Sequence, residues 1–246
     1  MIQKTIMIPF CKSRIMKHLQ TAILLIFSLL LFNACTKTQT DYYENGQIKS
    51  VIPYRMGKEN GLAVYYNKNG WKELEVMMKN GKKNGQLTRY NFNAKPEAEE
   101  TYVDDVLEGK QIIYDLMGDK ILEANYVHGK KNGPYTTWHY KDMLREKGAF
   151  VDDLFDGDWE YYDDRGFNVG EASFKKGTGT QTAYDAHGNI MRVTHYVNNL
   201  KDGEELSYNP QGEVIKTVIY KEDRIISVDG ISAEEMTAET DSLPSK

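Results

Sequence analysis

Apolar and aromatic residues along this chain are grouped in short runs that turn-forming residues separate. The run GKQIIY, which ends at Tyr114, is typical: β-branched and aromatic types lead to one ring and a polar turn follows. Short runs of this kind between turns indicate β-strands and hairpins. A helix would be interrupted by two glycines with Asn or Asp in every dozen residues, at about 1 kcal/mol for each internal glycine. The pattern therefore predicts an all-β chain.

The runs repeat with a fixed period, which is the signature of a repeat architecture. An opening glycine recurs at intervals of 24 residues, except for one interval of 22. An aromatic residue follows it after five positions, and a second aromatic or Met follows after seventeen. The opening glycines are Gly61, Gly85, Gly109, Gly133, Gly157, Gly179 and Gly203. The first aromatics are Tyr66, Tyr90, Tyr114, Trp138, Tyr162, Tyr184 and Tyr208. The second positions hold Met78, Tyr102, Tyr126, Phe150, Phe174, Tyr196 and Tyr220.

Each unit predicts one β-hairpin that begins at its opening glycine. Asn or Asp starts the internal turn, because its side chain can bond the local backbone, and Gly closes it with a positive φ. Ala94 and Asp142 replace that closing glycine in two units. About eight units from Tyr42 to Arg224 predict an elongated antiparallel meander of roughly 16 strands, since each unit supplies two. We predict a repeat domain at 42–226, a linker at 36–41 and a disordered acidic tail at 227–246.

The repeated rings are expected to stack along one stripe of the sheet, because aromatic pairs stabilise neighbouring hairpins. Small residues stand two positions before several second aromatics, and we interpret them as room for a neighbouring ring. These are Ala124, Gly148, Ala172 and Thr194. The sixth unit is two residues short between Lys176 and Gly179, which predicts a weak point or a bend.

The N-terminal 35 residues read as a targeting signal rather than a fold. Two residues, Met16 and Lys17, precede an apolar run from Ala22 to Phe32, which is too short for a membrane span of about 20 residues. The ending FNAC resembles a bacterial lipoprotein signal, in which Cys35 takes the lipid, although Phe32 departs from the usual Leu. The resemblance implies a lipid-anchored envelope protein, and Thr36 after the Cys implies the outer membrane of a Gram-negative bacterium. An ordinary cleaved signal or an uncleaved anchor helix is the alternative, and Met16 is an alternative start.

Charge and cysteine content exclude several classes of function. The whole chain carries −5, and removing the first 34 residues, with four basic and no acidic side chains, leaves −9. Nucleic acid is therefore not an expected partner, because phosphate binding needs a basic face. Both cysteines, Cys11 and Cys35, lie in the N-terminal segment, so the repeats hold no disulfide and no cysteine zinc site.

Residues that could carry chemistry fit ordinary turn and strand positions better than they fit metal-binding or catalytic sites. Four histidines follow the signal, namely His128, His139, His187 and His195, and none has metal-ligand spacing. The acid pairs Asp104-Asp105 and Asp152-Asp153 fall short of the oxygen set that calcium prefers. Asp158 and Glu160 beside aromatics invite comparison with sugar-cleaving sites, but a sheet face offers no cleft that raises a carboxyl pKa. We expect no catalytic residue, metal or cofactor.

The pattern G-x4-[YW]-[NDH]-x2-G-x7-[YFM]-x2-[GDN] resembles the MORN repeat, and more closely its bacterial variant, which occurs in a YwqK-type antitoxin-like family. The resemblance covers nearly the whole chain after Cys35. It implies a single-layer hairpin sheet that serves as a scaffold, a protein-binding surface or a membrane-proximal element.

The function expected from these features is a non-enzymatic envelope scaffold that binds a protein partner and reaches the membrane through its N-terminal lipid. The first alternative is a glycan-binding or adhesive surface protein. For that role Trp71, Trp159 and Tyr135, which stand outside the repeated aromatic positions, are the candidate ligand-facing rings. The second alternative, from the family name, is an antitoxin-like binder of a toxin.

Overall fold

The computed structural model describes residues 36–232, which form one antiparallel sheet of nineteen strands. Each strand pairs with the next along the chain, except that β2 pairs with both β3 and β4, so the predicted all-β array of hairpins is confirmed. The predicted signal at 1–35 and positions 233–246 of the predicted tail lie outside the described residues. The strands are β1 Thr36–Tyr42, β2 Ile48–Arg55, β3 Lys58–Glu59, β4 Gly61–Tyr66, β5 Lys72–Lys79, β6 Lys82–Tyr90, β7 Pro96–Val103, β8 Val106–Tyr114, β9 Lys120–Val127, β10 Lys130–Trp138, β11 Leu144–Val151, β12 Leu154–Tyr162, β13 Asn168–Lys175, β14 Thr178–Tyr184, β15 Ile190–Val197, β16 Leu200–Tyr208, β17 Val214–Lys221, β18 Arg224–Val228 and β19 Ile231–Ser232.

The sheet extends beyond both predicted boundaries of the repeat domain. The predicted linker at 36–41 is wrong, because these residues belong to β1 and pair along their whole length with β2. Threonine alternates through this segment and suits an extended strand. The predicted tail begins too early, because β18 runs to Val228 and a tight turn at Asp229 and Gly230, both with positive φ, leads into β19.

Except at Gly61, which begins β4, the opening glycine lies inside a strand, so the predicted start is wrong for the other six units. β6, for example, begins at Lys82 and passes through Gly85, where φ is +123°. The register with β5 shifts there by two residues, between the pairs Val76–Leu87 and Met78–Lys83. Such a β-bulge needs a residue that tolerates positive φ. The glycine therefore marks a bulge in each full-length unit.

The short sixth unit lacks this bulge. β13 and β14 pair without a register shift from Gly170–Ala183 to Lys175–Thr178. The two missing residues are therefore the two that form the bulge elsewhere, and Gly179 needs no positive φ. The chain crosses this point as a regular hairpin, with Lys176 and Gly177 as its two turn residues at positive φ.

The two faces of the sheet differ in burial. One face, which we call the core face, carries a row of mostly buried side chains that runs from strand to strand across the middle of the sheet. The row comprises Ala63, Val76, Leu87, Glu100, Gln111, Ala124, Tyr135, Gly148, Trp159, Ala172, Gln181, Thr194, Glu205 and Val218. Its apolar part forms two clusters, one around Val76 and Leu87 and one around Trp159. The other face is called the outer face below.

The repeated aromatics form two rows on opposite faces, so the predicted single stripe is wrong. The second aromatics lie on the core face, where each is the register partner of an opening glycine, as in Gly85–Tyr102 and Gly203–Tyr220. The first aromatics lie on the outer face: the Tyr90 hydroxyl donates to Glu75, and the Tyr184 hydroxyl donates to Glu171. The reason is the two-residue period of a strand. The first aromatic stands three positions after the core-row residue of its strand, as Tyr90 does after Leu87, and therefore faces the opposite side.

Three of the four small residues before the second aromatics leave room for rings, whereas Thr194 faces Gln181 and Glu205. A Cβ at Gly148 would lie 2.2 Å from the Trp159 ring, which only a glycine permits. Ala172 is the register partner of Trp159, and Ala124 is the partner of Tyr135. The four rings Tyr135, Phe150, Phe155 and Trp159 then pack with centroids 4.9–5.7 Å apart. This aromatic cluster contains Trp159, the largest fully buried side chain of the described sheet.

Gly148→Ala should destabilise the protein by about 1–3 kcal/mol, because the added methyl group overlaps the Trp159 ring and forces the packed rings apart. Gly148 has no positive φ, so the backbone itself accepts alanine. Chemical denaturation measures the change. In a Trp159→Leu background the same substitution should cost much less. An equal cost in both backgrounds would contradict the steric account.

Candidate interaction surface

Internal turns of the hairpins form one long edge of the sheet, and each is braced by the side chain that begins it. Asn67 Oδ1 accepts hydrogen bonds from the backbone N–H groups of Asn69 and Trp71, both at 3.0 Å. The closing residue keeps its positive φ even where glycine is replaced, at Ala94 and Asp142. The same bracing occurs at Asn91, Asp115, Asp163, Asp185 and Asn209. The predicted turn chemistry is therefore confirmed.

Neighbouring turns on this edge are also bonded to one another. The Tyr43 hydroxyl donates to the Tyr66 carbonyl at 2.7 Å, and the Asn45 amide donates to the Lys68 carbonyl at 2.9 Å. At His139 the ring contributes in the same way, since Nε2 lies 2.9 Å from the Tyr162 carbonyl oxygen. These bonds join neighbouring turns in pairs along the edge.

Large apolar side chains project from five consecutive turns on this edge. They are Trp71, Phe92, Leu116, Met117, Tyr140 and Phe167, with 48–70 % of their surface exposed. We call this set the turn ridge. Consecutive turns are two strands apart, so the ridge extends over about 38 Å. Ala186 and Pro210 occupy the following turns, where the ridge ends.

The three predicted ligand-facing rings separate in the structure. Trp71 is half exposed and begins the turn ridge. Trp159 is only 2 % exposed within the aromatic cluster, so the prediction that it faces a ligand is wrong, and Tyr135 is partly buried against it. The position that Trp159 and Tyr135 occupy, two residues after the opening glycine, faces the core in every unit. Sequence reasoning missed the other ridge residues, although apolar side chains inside otherwise polar turns were their signal.

The edge opposite the ridge is formed by the turns between hairpins, and there the short unit is bridged by Asn199. In most units a turn bonds only to the turn of the preceding unit, as when Asp153 N–H donates to the Lys131 carbonyl. Asn199 reaches two units back: its Oδ1 accepts from the Phe155 N–H and its Nδ2 donates to the Asp153 carbonyl, both at 2.8 Å. It therefore bonds two backbone groups that lie two units back, across the short unit.

Buried carboxylates interrupt the apolar row on the core face, and each is neutralised locally. Glu205, 7 % exposed, accepts hydrogen bonds from Lys201 at 2.6 Å and Thr194 at 3.0 Å. Burial alone raises the pKa of Glu205, but these two hydrogen bonds outweigh it and hold the pKa below its usual value. Glu100 accepts hydrogen bonds from Gln111 and Tyr102 and forms an ion pair with Arg89 at 3.5 Å. These groups form satisfied structural networks.

Other residues considered for chemistry are engaged in the backbone or in ion pairs. Asp105 Oδ1 and Asp153 Oδ1 each accept a backbone N–H from the preceding turn at 2.8 Å. Hydrogen bonds from Tyr162 and Lys147 hold the pKa of the Glu160 carboxyl below its usual value, whereas a general acid needs a raised pKa. Within residues 36–232 no three His, Cys, Asp or Glu side chains converge as a metal site would require. The same range contains no helix able to cross a membrane.

One comparison with known protein families matches the first hairpin of the sheet. Residues 36–56, which cover β1, its turn and β2, match the family model of the MORN repeat variant. No curated protein matches the chain. One solved structure, titled "Crystal Structure of TcdB2-TccC3-Cdc42", is similar over 78 % of this chain and 12 % of that chain, with 16 % identity. Its TM-score is 0.24, so it carries no argument about fold or function. The matched repeat supports a repeat-based binding module.

Asn199→Ala should lower the free energy of unfolding by about 1–3 kcal/mol, because it leaves the Phe155 N–H and the Asp153 carbonyl without partners. Asn198→Ala is the matched control, since both asparagines have positive φ in the same turn and only Asn199 forms the bridge. Urea denaturation of the two variants gives the comparison. Equal losses would show that the bridge contributes nothing.

Stability should fall as the pH rises from 10 to 12. Burial, followed by a hydrogen bond to a glutamate, raises the pKa of Tyr90 and Tyr102 to about 12, against 10.0 for the free side chain. The folded chain therefore holds more protons than the unfolded chain in this interval, which favours unfolding as protons are removed. Tyr102→Phe should flatten the pH dependence measured by denaturation. An unchanged slope would contradict the assignment.

Proposed function

We propose that the protein is a non-enzymatic, lipid-anchored envelope scaffold that binds a protein partner along the turn ridge. The ridge is the observation that carries this proposal. Contiguous exposed apolar side chains mark interaction surfaces, and aromatic residues and Met are enriched at the centres of protein interfaces. A length of about 38 Å matches a partner that is itself extended or repetitive.

The hydrogen-bonded turns support tight binding by a preformed surface. Association costs less free energy when the contacting loops are already ordered. On the ridge, the bracing Asn and Asp side chains and the bonds between turns hold each backbone in place. The apolar side chains are thus presented by a rigid support, as an enduring scaffold requires.

The anchor and the ridge are compatible in space. Cys35 immediately precedes β1, and Thr36 pairs with Arg55 at the edge opposite the internal turns. A lipid on Cys35 would leave the sheet at that edge, about 20 Å from the ridge along the strands. The anchor would therefore leave the ridge free for a partner. By resemblance of its signal, the protein is proposed to reside in the outer membrane of a Gram-negative bacterium.

A glycan is the second candidate ligand, because exposed rings can stack on sugars. Trp71, half exposed at the first position of the ridge, favours it. The composition of the ridge favours a protein instead, since its members Leu116 and Met117 have no ring that could stack on a sugar. Glycan arrays distinguish the two: retention that is lost on Trp71→Ala supports the glycan alternative.

Cys35→Ser should abolish incorporation of a fatty-acid analogue and release the protein from the membrane fraction, because the thiol is the proposed site of acylation. Cys11→Ser is the control and should behave as the unsubstituted chain. Metabolic labelling in the bacterial host and fractionation give both readouts. Continued labelling of Cys35→Ser would contradict the anchor.

Ridge substitutions should abolish partner capture without unfolding the sheet. A photo-crosslinking amino acid at position 116 should give one stoichiometric adduct in cells, and Phe92→Ser with Tyr140→Ser should remove it. Ile215→Ser is the control, because Ile215 is 62 % exposed, comparable to Phe92 at 66 %, but lies off the ridge. Equal loss in the control, or an adduct that survives the ridge variant, would contradict the proposed surface.

A further inference from the structure

The two ends of the sheet differ in how their edges are protected. At the C-terminal end, β19 has two residues and follows a tight turn, and such a short strand presents little backbone for pairing. At the N-terminal end, β1 has seven residues, no proline and a regular register from Thr36 to Asp41. Among residues 36–232 no strand pairs with its second edge. An exposed edge of this length is a template for strand addition.

The sequence of β1 is complementary to itself when read in the opposite direction. In TKTQTDY, Gln39 stands at the centre, Lys37 lies two positions before it and Asp41 two positions after it. Antiparallel pairing of two copies about Gln39 places each Lys37 opposite an Asp41. Each Thr38 then faces a Thr40. Opposite charges and threonine pairs both stabilise directly facing positions on neighbouring strands.

The faces of the sheet also agree in this register. Lys37, Gln39 and Asp41 pair with Tyr54, Ile52 and Ser50, so their side chains lie on the core face. A two-fold axis perpendicular to the sheet keeps the core faces of two copies on the same side. The row on the core face would then continue through Gln39 of one copy into Gln39 of the other without interruption.

We propose that the protein forms a homodimer in which the β1 strands of two copies pair antiparallel about Gln39. The dimer is one continuous sheet of two arrays, held by main-chain hydrogen bonds and by two Lys37–Asp41 ion pairs. The two copies of Thr36, the first residue of β1, then lie on opposite long edges of the combined sheet, about 20 Å apart. If both carry the proposed lipid, the sheet lies along the membrane. The dimer itself does not depend on that anchor.

A cysteine on the proposed axis tests the register directly. Gln39→Cys in the full chain should give a disulfide-linked dimer on mild oxidation, because the two position-39 side chains face each other. Thr36→Cys is the control, since Thr36 would face Tyr42 of the other copy, about 20 Å from its own counterpart. The unsubstituted chain, which retains Cys11 and Cys35, sets the background. Crosslinking at position 36 equal to that at position 39 would overturn the register.

Charge exchange tests the ion pairs. Lys37→Asp places like charges opposite each other at both ends, so the dissociation constant measured by sedimentation should rise about ten-fold. Combining Lys37→Asp with Asp41→Lys restores the complementary pairs and should recover the dimer, which a merely unfolded β1 would not do. Circular dichroism checks the fold of each variant. A monomer at every concentration, as when the chain's own N-terminal segment covers β1, or a dimer that Lys37→Asp leaves unchanged, would overturn the proposal.

Discussion

Because the described sheet is a single layer, every side chain must find its packing partners on the two neighbouring strands. No second layer covers the core face, so burial depends on strand register: one residue of slip would move each side chain to the other face. In each full-length unit a bulge at the opening glycine fixes that register. In every unit the opening glycine also faces a second aromatic or Met across the strands, as in Gly85–Tyr102 and Gly109–Tyr126. Stability is accordingly a sum of contacts between neighbours.

The second aromatics pack differently at the place where the repeat is two residues short. Loss of the bulge before Gly179 brings second aromatics into direct contact, with the Phe174 and Tyr196 rings 5.7 Å apart. In full-length units a side chain from the next strand intervenes, as where Lys201 lies 4.7 Å from the Tyr220 ring. Asn199 adds two hydrogen bonds to the backbone on the adjacent edge. The shortened unit is thus bridged by contacts of its own.

Sequence periodicity predicted the hairpins, the internal turns and the role of Gly148, because turn residues and small residues act locally. It misplaced the opening glycine, since a residue with positive φ serves a turn and a bulge equally well. It also took Trp159 for a ligand-facing ring, because it treated a position that varies between units as external. That position, two residues after the opening glycine, lies on the same core face as the second aromatics, and at Trp159 it is buried. The ridge went unnoticed because turns were read only for their backbone chemistry.

Hydrogen exchange of the native protein tests this picture most directly, since it measures the opening free energy strand by strand. If neighbour contacts alone hold the sheet, protection should be greatest from β10 to β14, around Trp159, and should decline toward both β1 and β19. Uniform protection across all strands, or a maximum at either end, would show that something other than cross-strand packing on the core face maintains the array.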